Sequence, residues 1–281
     1  MCYGIRLNYT QPQICLDGGS DMLNWPKPTI KNYKFVFGSL SKDFFDYFDR
    51  EIKVKGGEIV AEEWNRIKPS NEKEFLQFYR EIGTMDELAY WHTKSKEHPK
   101  RIQSIKLLKI LSSLSMVVKT ILDLGSGIGT DSLIIGSMGF EITSIEPNAE
   151  QMKFLRYRAK KHNVSLTETI IGTEKDIKKE YDLILFLEVI EHIFDPFKFI
   201  DNIIRYKPKF LMFSQSFRQH KAPGGLPQHT DFNIQKIFQL LKNKGYNKIK
   251  IKGMAFPINV WTTTKIEIID VAYSINAKEM L

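Results

Sequence analysis

The chain has 281 residues, a formal net charge of +8 and 42% hydrophobic residues, a composition typical of a globular protein. This excludes a disordered tail, a collagen-like chain and a coiled-coil rod. No apolar run approaches the roughly 18 residues that a membrane span needs, so we expect no membrane partner, and no secretory signal is visible. The two cysteines, Cys2 and Cys15, provide neither a disulfide framework nor a cysteine metal site, which predicts a cytoplasmic protein.

The positive charge is concentrated in one stretch of the chain. Between residues 91 and 119, seven lysines and arginines stand against a single acid, whereas residues 1–90 are slightly acidic. The stretch Lys94–Lys119 either recruits an anionic partner such as nucleic acid or forms the solvated face of a helix. Few aromatic residues interrupt it, which weakens the case for binding single-stranded nucleic acid.

Residues before about 117 are predicted to be mainly helical. Apolar residues recur every third position from Ile102 to Leu114 with lysines between them, which indicates an amphipathic helix. Prolines and glycines in the first 40 residues favour loops. We expect an N-terminal extension and helical cap over residues 1–100. Helix starts are predicted at Ser41, at Asn71 with Glu74, and at Thr84 with Glu87.

From residue 117 onwards, short apolar segments alternate with helical ones. This alternation implies right-handed crossovers and therefore an α/β fold with a doubly wound, mostly parallel sheet of seven strands in residues 101–281. Two late strands, near Lys248–Lys252 and Lys265–Ala272, would add an antiparallel edge. The other predicted strands are Val117–Leu124, Glu141–Ile145, Leu166–Ile171, Asp182–Leu187 and Phe210–Ser214. The predicted helices are Thr130–Met138, Asn148–His162, Pro196–Tyr206 and Asn233–Lys244.

A glycine-rich loop lies where the first of these strands turns into a helix. Gly125, Gly127 and Gly129 allow a positive φ and let a ligand approach the backbone closely. Glu146 follows 21 residues after Gly125, at the end of the next strand, where a carboxylate can accept hydrogen bonds from two ribose hydroxyls. Strand, loop, helix and acid together predict a site for a nucleoside-containing cofactor.

The spacing of the loop argues against a dinucleotide. The third glycine of the dinucleotide motif would fall at Thr130, but the third glycine here comes one residue earlier. Asp123 precedes the loop, and a carboxylate suits a cationic amino-acid cofactor better than a pyrophosphate.

Several motifs resemble those of one enzyme family. Residues 121–130, ILDLGSGIGT, resemble the first motif of class I S-adenosylmethionine-dependent methyltransferases, and Ser144–Pro147 resembles their second. Tyr181–Pro196 resembles the fourth motif in the form found in the ubiquinone-biosynthesis O-methyltransferase group, and His229–Phe232 also matches that group. The resemblance covers about residues 100–255 and implies a Rossmann-like methyltransferase fold. It is specific for the cofactor, S-adenosyl-L-methionine, and not for the acceptor.

The resemblance also implies roles for individual residues. The glycine loop would cradle the methionine part of the cofactor, Asp123 would orient its amino group, and Glu146 would hold the ribose. The acid near the adenine is ambiguous between Glu174 and Asp176. In this fold class a segment such as Tyr90–His92 often covers the cofactor. The implied cofactor-binding residues are Asp123, Gly125, Ser126, Gly127, Gly129, Thr130, Glu146, Pro147, Glu174, Leu187 and Glu188.

Three candidate catalytic residues, Glu188, Glu191 and His192, follow the fourth strand at its carboxyl end. A general base for a hydroxyl should titrate near neutral pH, which favours His192. The three residues, joined by His229, would also suit a divalent cation. Many methyltransferases with this motif use no metal, so we expect none here; the glutamates then hold loops or cap the next helix.

The sequence therefore predicts an S-adenosylmethionine-dependent methyltransferase with a small-molecule acceptor, methylated on oxygen or nitrogen. One alternative is an RNA 2′-O-methyltransferase, assisted by a metal and docking through Lys94–Lys119. Another is a cofactor-binding partner subunit without catalysis. The sequence makes no prediction of the oligomeric state.

Overall fold

The computed structural model describes residues 36–53, 56–81, 85–93, 118–214, 226–252, 258–263 and 268–270. Two short 3₁₀ turns, Glu174–Asp176 and Ile190–His192, accompany the helices and strands of these residues. The helices are α1 (Leu40–Phe48), α2 (Gly56–Ile67), α3 (Glu72–Glu81), α4 (Met85–Thr93), α5 (Thr130–Ser137), α6 (Ala149–Lys161), α7 (Pro196–Ile204) and α8 (Ile234–Asn243). The strands are β1 (Thr120–Leu124), β2 (Glu141–Glu146), β3 (Glu168–Ile171), β4 (Leu183–Leu187), β5 (Phe210–Ser214), β6 (Asn247–Lys252), β7 (Asn259–Thr262) and β8 (Ile268–Asp270).

The strands form one sheet in the order β3-β2-β1-β4-β5-β7-β6-β8. Strands β1 to β5 are parallel, and the chain moves outward from β1 to β3 before it returns to β4 beside β1. In sheets of this kind, ligands bind beyond the carboxyl ends of the strands at the point of reversal. The predicted doubly wound α/β fold is confirmed, and its switch point lies between β1 and β4.

The far edge of the sheet differs from the prediction. The described residues form eight strands rather than seven, because the short strand β7 inserts between β5 and β6 and runs antiparallel to both. This strand escaped prediction because its four buried residues, Asn259–Thr262, begin and end with polar side chains. The predicted strand at Lys265–Ala272 is found as Ile268–Asp270, but it pairs parallel to β6 and not as an antiparallel edge.

Side chains of Asn and Asp begin the helices that follow the strands. The Asn148 side chain accepts hydrogen bonds from the backbone of α6, and Asp195 does the same for α7, satisfying amides that would otherwise have no partner. In the N-terminal part, the predicted start at Ser41 is wrong because α1 begins at Leu40. Asn71 accepts from the backbone amide of Glu74, as expected of a cap. Helix α2 was not predicted.

The N-terminal helices pack directly on the glycine loop of the sheet domain, which confirms a helical cap. Helices α1 and α4 share a hydrophobic core with the glycine loop and α6. Burial of such side chains is the main source of the packing free energy. The core is formed by Leu40, Phe44, Met85, Ala89, Ile128 and Phe154.

Some predictions fall outside the described residues. These are the start at Thr84, the amphipathic helix Ile102–Leu114 and most of the basic stretch Lys94–Lys119. The domain boundary at residues 100 and 101 also falls there and stays a prediction. In the part of the chain that the structure describes, no helix is both long enough and apolar enough to span a membrane.

Candidate active site

The glycine loop is fixed against the end of β2 by backbone hydrogen bonds. The amides of Gly125 and Ser126 both donate to the carbonyl of Ile145, at 2.8 and 3.1 Å. The amide of Gly127 donates to Oε2 of Glu146 at 2.8 Å. All three glycines have a positive φ, of 75°, 54° and 77°, a conformation that side chains rarely adopt. The loop geometry thus requires glycine at these positions.

The atoms around each glycine show whether the absence of a side chain there is required for close packing. A Cβ at Gly129 would clash with Leu155 of α6, and a Cβ at Gly125 would lie 2.7 Å from Val189 Cγ2. These two glycines therefore allow close packing of the chain. A Cβ at Gly127 would lie 3.2 Å from Cδ1 of Leu88 on α4 and 3.7 Å from Oε1 of Gln151, both at the ends of flexible side chains.

Two buried acids stand behind the loop. Glu146 accepts from the amide of Gly127 and, through Oε1, from the amide of Asn148 at 2.9 Å. Burial raises the pKa of Glu146 to about 7, and the nearby negative charge of Asp123 acts in the same direction, whereas the two backbone hydrogen bonds oppose the shift. Asp123, the penultimate residue of β1, accepts a hydrogen bond from the hydroxyl of Ser132.

Helix α4 of the cap covers the loop. In addition to the contact of Leu88 with the loop, Nδ1 of His92 lies 2.8 Å from Oγ1 of Thr130, the first residue of α5. Trp91, by contrast, is 41% exposed. Within the described residues the buried hydroxyl of Ser126 has no hydrogen-bond partner. A buried hydroxyl without a partner is costly, so this loop is suited to a polar ligand.

The end of β4 has a strained backbone. Glu188 has a φ of 54°, and its amide donates to the hydroxyl and the carbonyl oxygen of Ser214 at 3.2 and 3.3 Å. A residue other than glycine in this region costs about 1–3 kcal/mol, and such strain is concentrated at functional sites. Leu187, just before it, is half-buried at the same edge.

Next to this strained residue, the turn Ile190–His192 presents an imidazole. Nδ1 of His192 lies 2.9 Å from the hydroxyl of Tyr79 on α3, and its ring meets the ring of His229 edge to face at 4.6 Å. Burial lowers the pKa of His192 to about 3, and the neighbouring His229 adds to the effect. His192 is therefore neutral at neutral pH, and the expectation that it titrates near neutrality is wrong, because burial disfavours the charged imidazolium. The fully buried Glu191 accepts from the amide of Thr230 through its backbone carbonyl at 2.7 Å.

The four candidate metal ligands from the sequence all lie in the described part of the chain. The described residues contain no group of three or more His, Cys, Asp or Glu side chains that could hold a metal ion. The four candidates from the sequence, Glu188, Glu191, His192 and His229, thus do not form a metal centre. His192 instead directs Nδ1 towards a tyrosine.

The acids after β3 are both engaged in local structure. Oε1 of Glu174 accepts from the side-chain amide of Asn202 on α7 at 3.1 Å. Oδ2 of Asp176 accepts from the amide of Thr173 at 2.9 Å and so caps its own turn. The assignment of Glu174 to the adenine stays a prediction. Pro147 is half-buried directly after Glu146.

Three residues that the sequence analysis did not select complete the site: Tyr79, Leu88 and Asn148. The side-chain amide of Asn148 donates to the backbone carbonyl of Tyr79 at 3.1 Å, which joins α3 to the acid at Glu146. The available signal in the sequence was the position of Tyr79 beside the apolar residues of α3, because a partly buried tyrosine usually directs its hydroxyl to a partner.

The described residues define a class of protein. A doubly wound sheet with a glycine loop after its first strand and an acid at the end of its second is the arrangement of the class I methyltransferases, as the sequence motifs implied. A model of the methyltransferase domain family matches residues 90–248. The chain belongs to this family, so the predicted enzyme class, an S-adenosylmethionine-dependent methyltransferase, is confirmed.

Individual relatives are more distant. The ubiquinone biosynthesis O-methyltransferase of Rickettsia akari (strain Hartford) is 25% identical over 207 residues, which cover 63% of this chain and 82% of the relative. The protein of the same name from Paramagnetospirillum magneticum (strain ATCC 700264 / AMB-1) is 28% identical, with coverage of 55% and 70%. The solved magnesium protoporphyrin IX methyltransferase of Synechocystis PCC 6803 has a TM-score of 0.49 and 13% identity, with coverage of 83% and 97%.

Proposed function

We propose that this enzyme transfers the methyl group of S-adenosylmethionine to a hydroxyl oxygen of a small molecule. The observation that carries the proposal is the cover that α4 places over the glycine loop, through Leu88 at Gly127 and His92 at Thr130. A site closed by the chain's own helix offers a confined pocket, which suits a small acceptor. The names of the relatives, which are O-methyltransferases, support oxygen as the methylated atom.

The residues around the loop fit the cofactor. Glu146 would accept hydrogen bonds from the ribose hydroxyls, because each carboxylate oxygen has a second lone pair beyond the one engaged by the backbone. The unpartnered hydroxyl of Ser126 and the backbone of Gly127 would face the methionine part, and Asp123 its amino group. Pro147, Glu174, Leu187 and Glu188 would border the remainder of the cofactor.

His192 would accept the proton of the acceptor hydroxyl. The cofactor supplies a methyl group on a positively charged sulfur, so the acceptor oxygen gains the methyl while the sulfur retains the bonding electron pair. An oxygen that is forming a third bond is a far stronger acid than a neutral hydroxyl, so an imidazole with a pKa of about 3 can still take its proton. Glu188, in its strained conformation, would border the acceptor, while Glu191 holds the turn that carries His192.

The test follows a radiolabelled methyl group from S-adenosylmethionine into host lysate that is separated into small-molecule, RNA and protein pools. We expect label in the small-molecule pool, and a His192→Gln variant should transfer roughly 10²-fold less label while it still binds the cofactor. Label mainly in RNA or protein would overturn the small-molecule acceptor. An unchanged rate in His192→Gln would overturn the role of His192 as the base.

Other partners and the location stay predictions. Binding of nucleic acid through Lys94–Lys119 would give acceptor binding a steep dependence on salt concentration, whereas turnover of a small neutral acceptor would depend on salt only weakly. A cytoplasmic location rests on the cysteine content alone.

A further inference from the structure

The hydroxyl of Tyr79 lies within hydrogen-bond distance of two groups on opposite sides. It is 2.7 Å from the backbone carbonyl of Gln228 and 2.9 Å from Nδ1 of His192. A carbonyl oxygen can only accept, so the single hydroxyl hydrogen goes to Gln228. The oxygen of Tyr79 must then accept a hydrogen from Nδ1, and the other ring nitrogen, Nε2, carries no hydrogen.

The reverse arrangement is less favourable. If the hydroxyl donated to Nδ1, the carbonyl of the buried Gln228 would lose this donor. A buried acceptor without its partner costs more than an ordinary hydrogen bond contributes. Which nitrogen of a histidine carries the proton is set by the hydrogen bond that the other nitrogen makes.

We propose that Tyr79 is a positioning residue that holds His192 in the Nδ1–H tautomer, so that the lone pair of Nε2 is available to the acceptor hydroxyl. This inference rests on the proposed function, in which His192 is the base. Within the described residues Nε2 has no hydrogen-bond partner, as a nitrogen reserved for a substrate requires. After proton transfer, the imidazolium would still donate through Nδ1 to Tyr79.

Tyr79 is held firmly enough to impose this geometry. Its ring packs against an aromatic cluster of Trp64, Phe75 and Phe78, with centroids 5.3–6.4 Å apart. Its backbone carbonyl accepts a hydrogen bond from the side-chain amide of Asn148, and the backbone amide of Asn148 donates to the carboxylate of Glu146. One residue of α3 therefore contacts both the base and the wall of the cofactor site.

The charged groups around the pair favour the same protonation states. Burial raises the pKa of Tyr79 well above its usual value. The carboxylates of Glu87 on α4 and of Glu191 in the turn Ile190–His192 act in the same direction. The tyrosine thus keeps its hydrogen at any pH used for assay. His229, before α8, faces the ring of His192 and opposes its protonation.

The first experiment observes the tautomer directly. Protein labelled with ¹⁵N in the histidine rings is examined by long-range ¹H–¹⁵N correlation NMR, and the spectrum of His192→Gln identifies the signals of His192. We expect the Nδ1–H form in the wild type and a shift towards Nε2–H, the form that free histidine prefers, in Tyr79→Phe. Phenylalanine retains the ring packing and removes only the hydroxyl.

The second experiment separates positioning from folding. Tyr79→Phe should lower kcat roughly tenfold, part of the about 10²–10⁴-fold that a general base supplies, with KM for cofactor and acceptor unchanged. The matched control is Tyr206→Phe, after α7, whose side chain packs against the core and whose hydroxyl has no hydrogen-bond partner among the described residues; it should keep the wild-type kcat and tautomer. A kcat that stays at the wild-type value in Tyr79→Phe would overturn the positioning role.

The proposal that Tyr79 sets the tautomer of His192 and the proposal that His192 is the base can be overturned independently. An Nε2–H form in the wild type overturns the role of Tyr79 without any variant, even if Tyr79→Phe does not fold. Retention of the Nδ1–H form in Tyr79→Phe overturns it as well. Loss of the base role appears instead as full activity in His192→Gln, a result that leaves the NMR spectrum of the wild type unaffected.

Discussion

His92 of the cap and Thr130 of the sheet domain are joined by a hydrogen bond of 2.8 Å between Nδ1 and Oγ1. Both side chains are buried, and Thr130 is the first residue after the glycine loop. The cap is therefore anchored to the residue that begins α5, beside the backbone that would bind the cofactor. A change at His92 should thus alter both the stability of the protein and its affinity for the cofactor.

Replacing His92 by Leu should lower the free energy of unfolding by about 1–3 kcal/mol, because the hydroxyl of Thr130 becomes a buried group without a partner. Cofactor affinity should fall as well, measured by titration calorimetry. Thr130→Val provides the matched control in a double-mutant cycle with denaturant unfolding. If the hydrogen bond is formed, the double variant should lose clearly less unfolding free energy than the sum of the losses in the two single variants. Losses that are strictly additive would show that the bond is not formed.

The glycine loop allows a test that separates folding from cofactor binding. Gly127→Ala should weaken cofactor binding at least tenfold, because the added methyl group would take up the space next to Leu88 that the cofactor would need to reach the loop backbone. Its effect on stability should match that of Gly245→Ala, a control with a φ of 86° and no atom within 4 Å of the added Cβ. Gly129→Ala should prevent folding, since its Cβ clashes with Leu155.

The result for Gly127 is decided by titration calorimetry with S-adenosylmethionine and by thermal unfolding of the three variants. Normal affinity in Gly127→Ala would show that the cofactor does not approach this side of the loop. Gly127→Asp should bind even more weakly, because a new carboxylate would face the side chain of Gln151 and lie near Glu146.

A buried ion pair fastens α1 to α6. Asp43 and Arg158 are both fully buried, with 3.4 Å between Oδ2 and Nε, and Asp43 also accepts from Ser39 at 2.8 Å. Asp43→Ala should cost about 3–5 kcal/mol of unfolding free energy, because it leaves the guanidinium buried without its counter-charge. The control is Glu63→Ala in the exposed pair with Arg66, which should leave stability nearly unchanged in denaturant titrations.

The sequence predicts the central sheet well because its signals are local. Strands β1, β4 and β5 are short, mainly apolar runs, and the glycine loop and Glu146 are recognised by their spacing within 21 residues. The edge strand β7 was missed because its pairing with β5 and β6, and not its own composition, makes it a strand.

The arrangement of the site depends on contacts that no local pattern contains. Tyr79 and His192 are 113 residues apart in the chain, and their meeting follows from how α3 packs over the carboxyl edge of the sheet. The sequence indicated His192 by its motif, but neither its tyrosine partner nor its low pKa could be predicted, because both depend on tertiary burial.

Glu146 should make cofactor binding depend on pH near neutrality. Its pKa of about 7 in the folded protein lies above the ordinary 4.5, because burial disfavours the charged form. The ribose hydroxyls need the ionised carboxylate as their acceptor, so cofactor affinity should fall by up to about tenfold for each pH unit below 7. Calorimetry near pH 7 in buffers of different ionisation enthalpy should detect release of a proton on binding, and Glu146→Gln should abolish it.

The same raised pKa predicts the pH dependence of stability without cofactor. Between pH 4.5 and 7 the folded state binds more protons at Glu146 than the unfolded state does. The stabilisation from this residue is therefore fully present below about pH 4.5 and is lost as the pH rises through 7. The unfolding free energy of the wild type relative to Glu146→Gln should decrease from pH 5 to pH 8 in urea titrations; a difference that stays constant would show that the carboxyl keeps its ordinary pKa and is accessible to water.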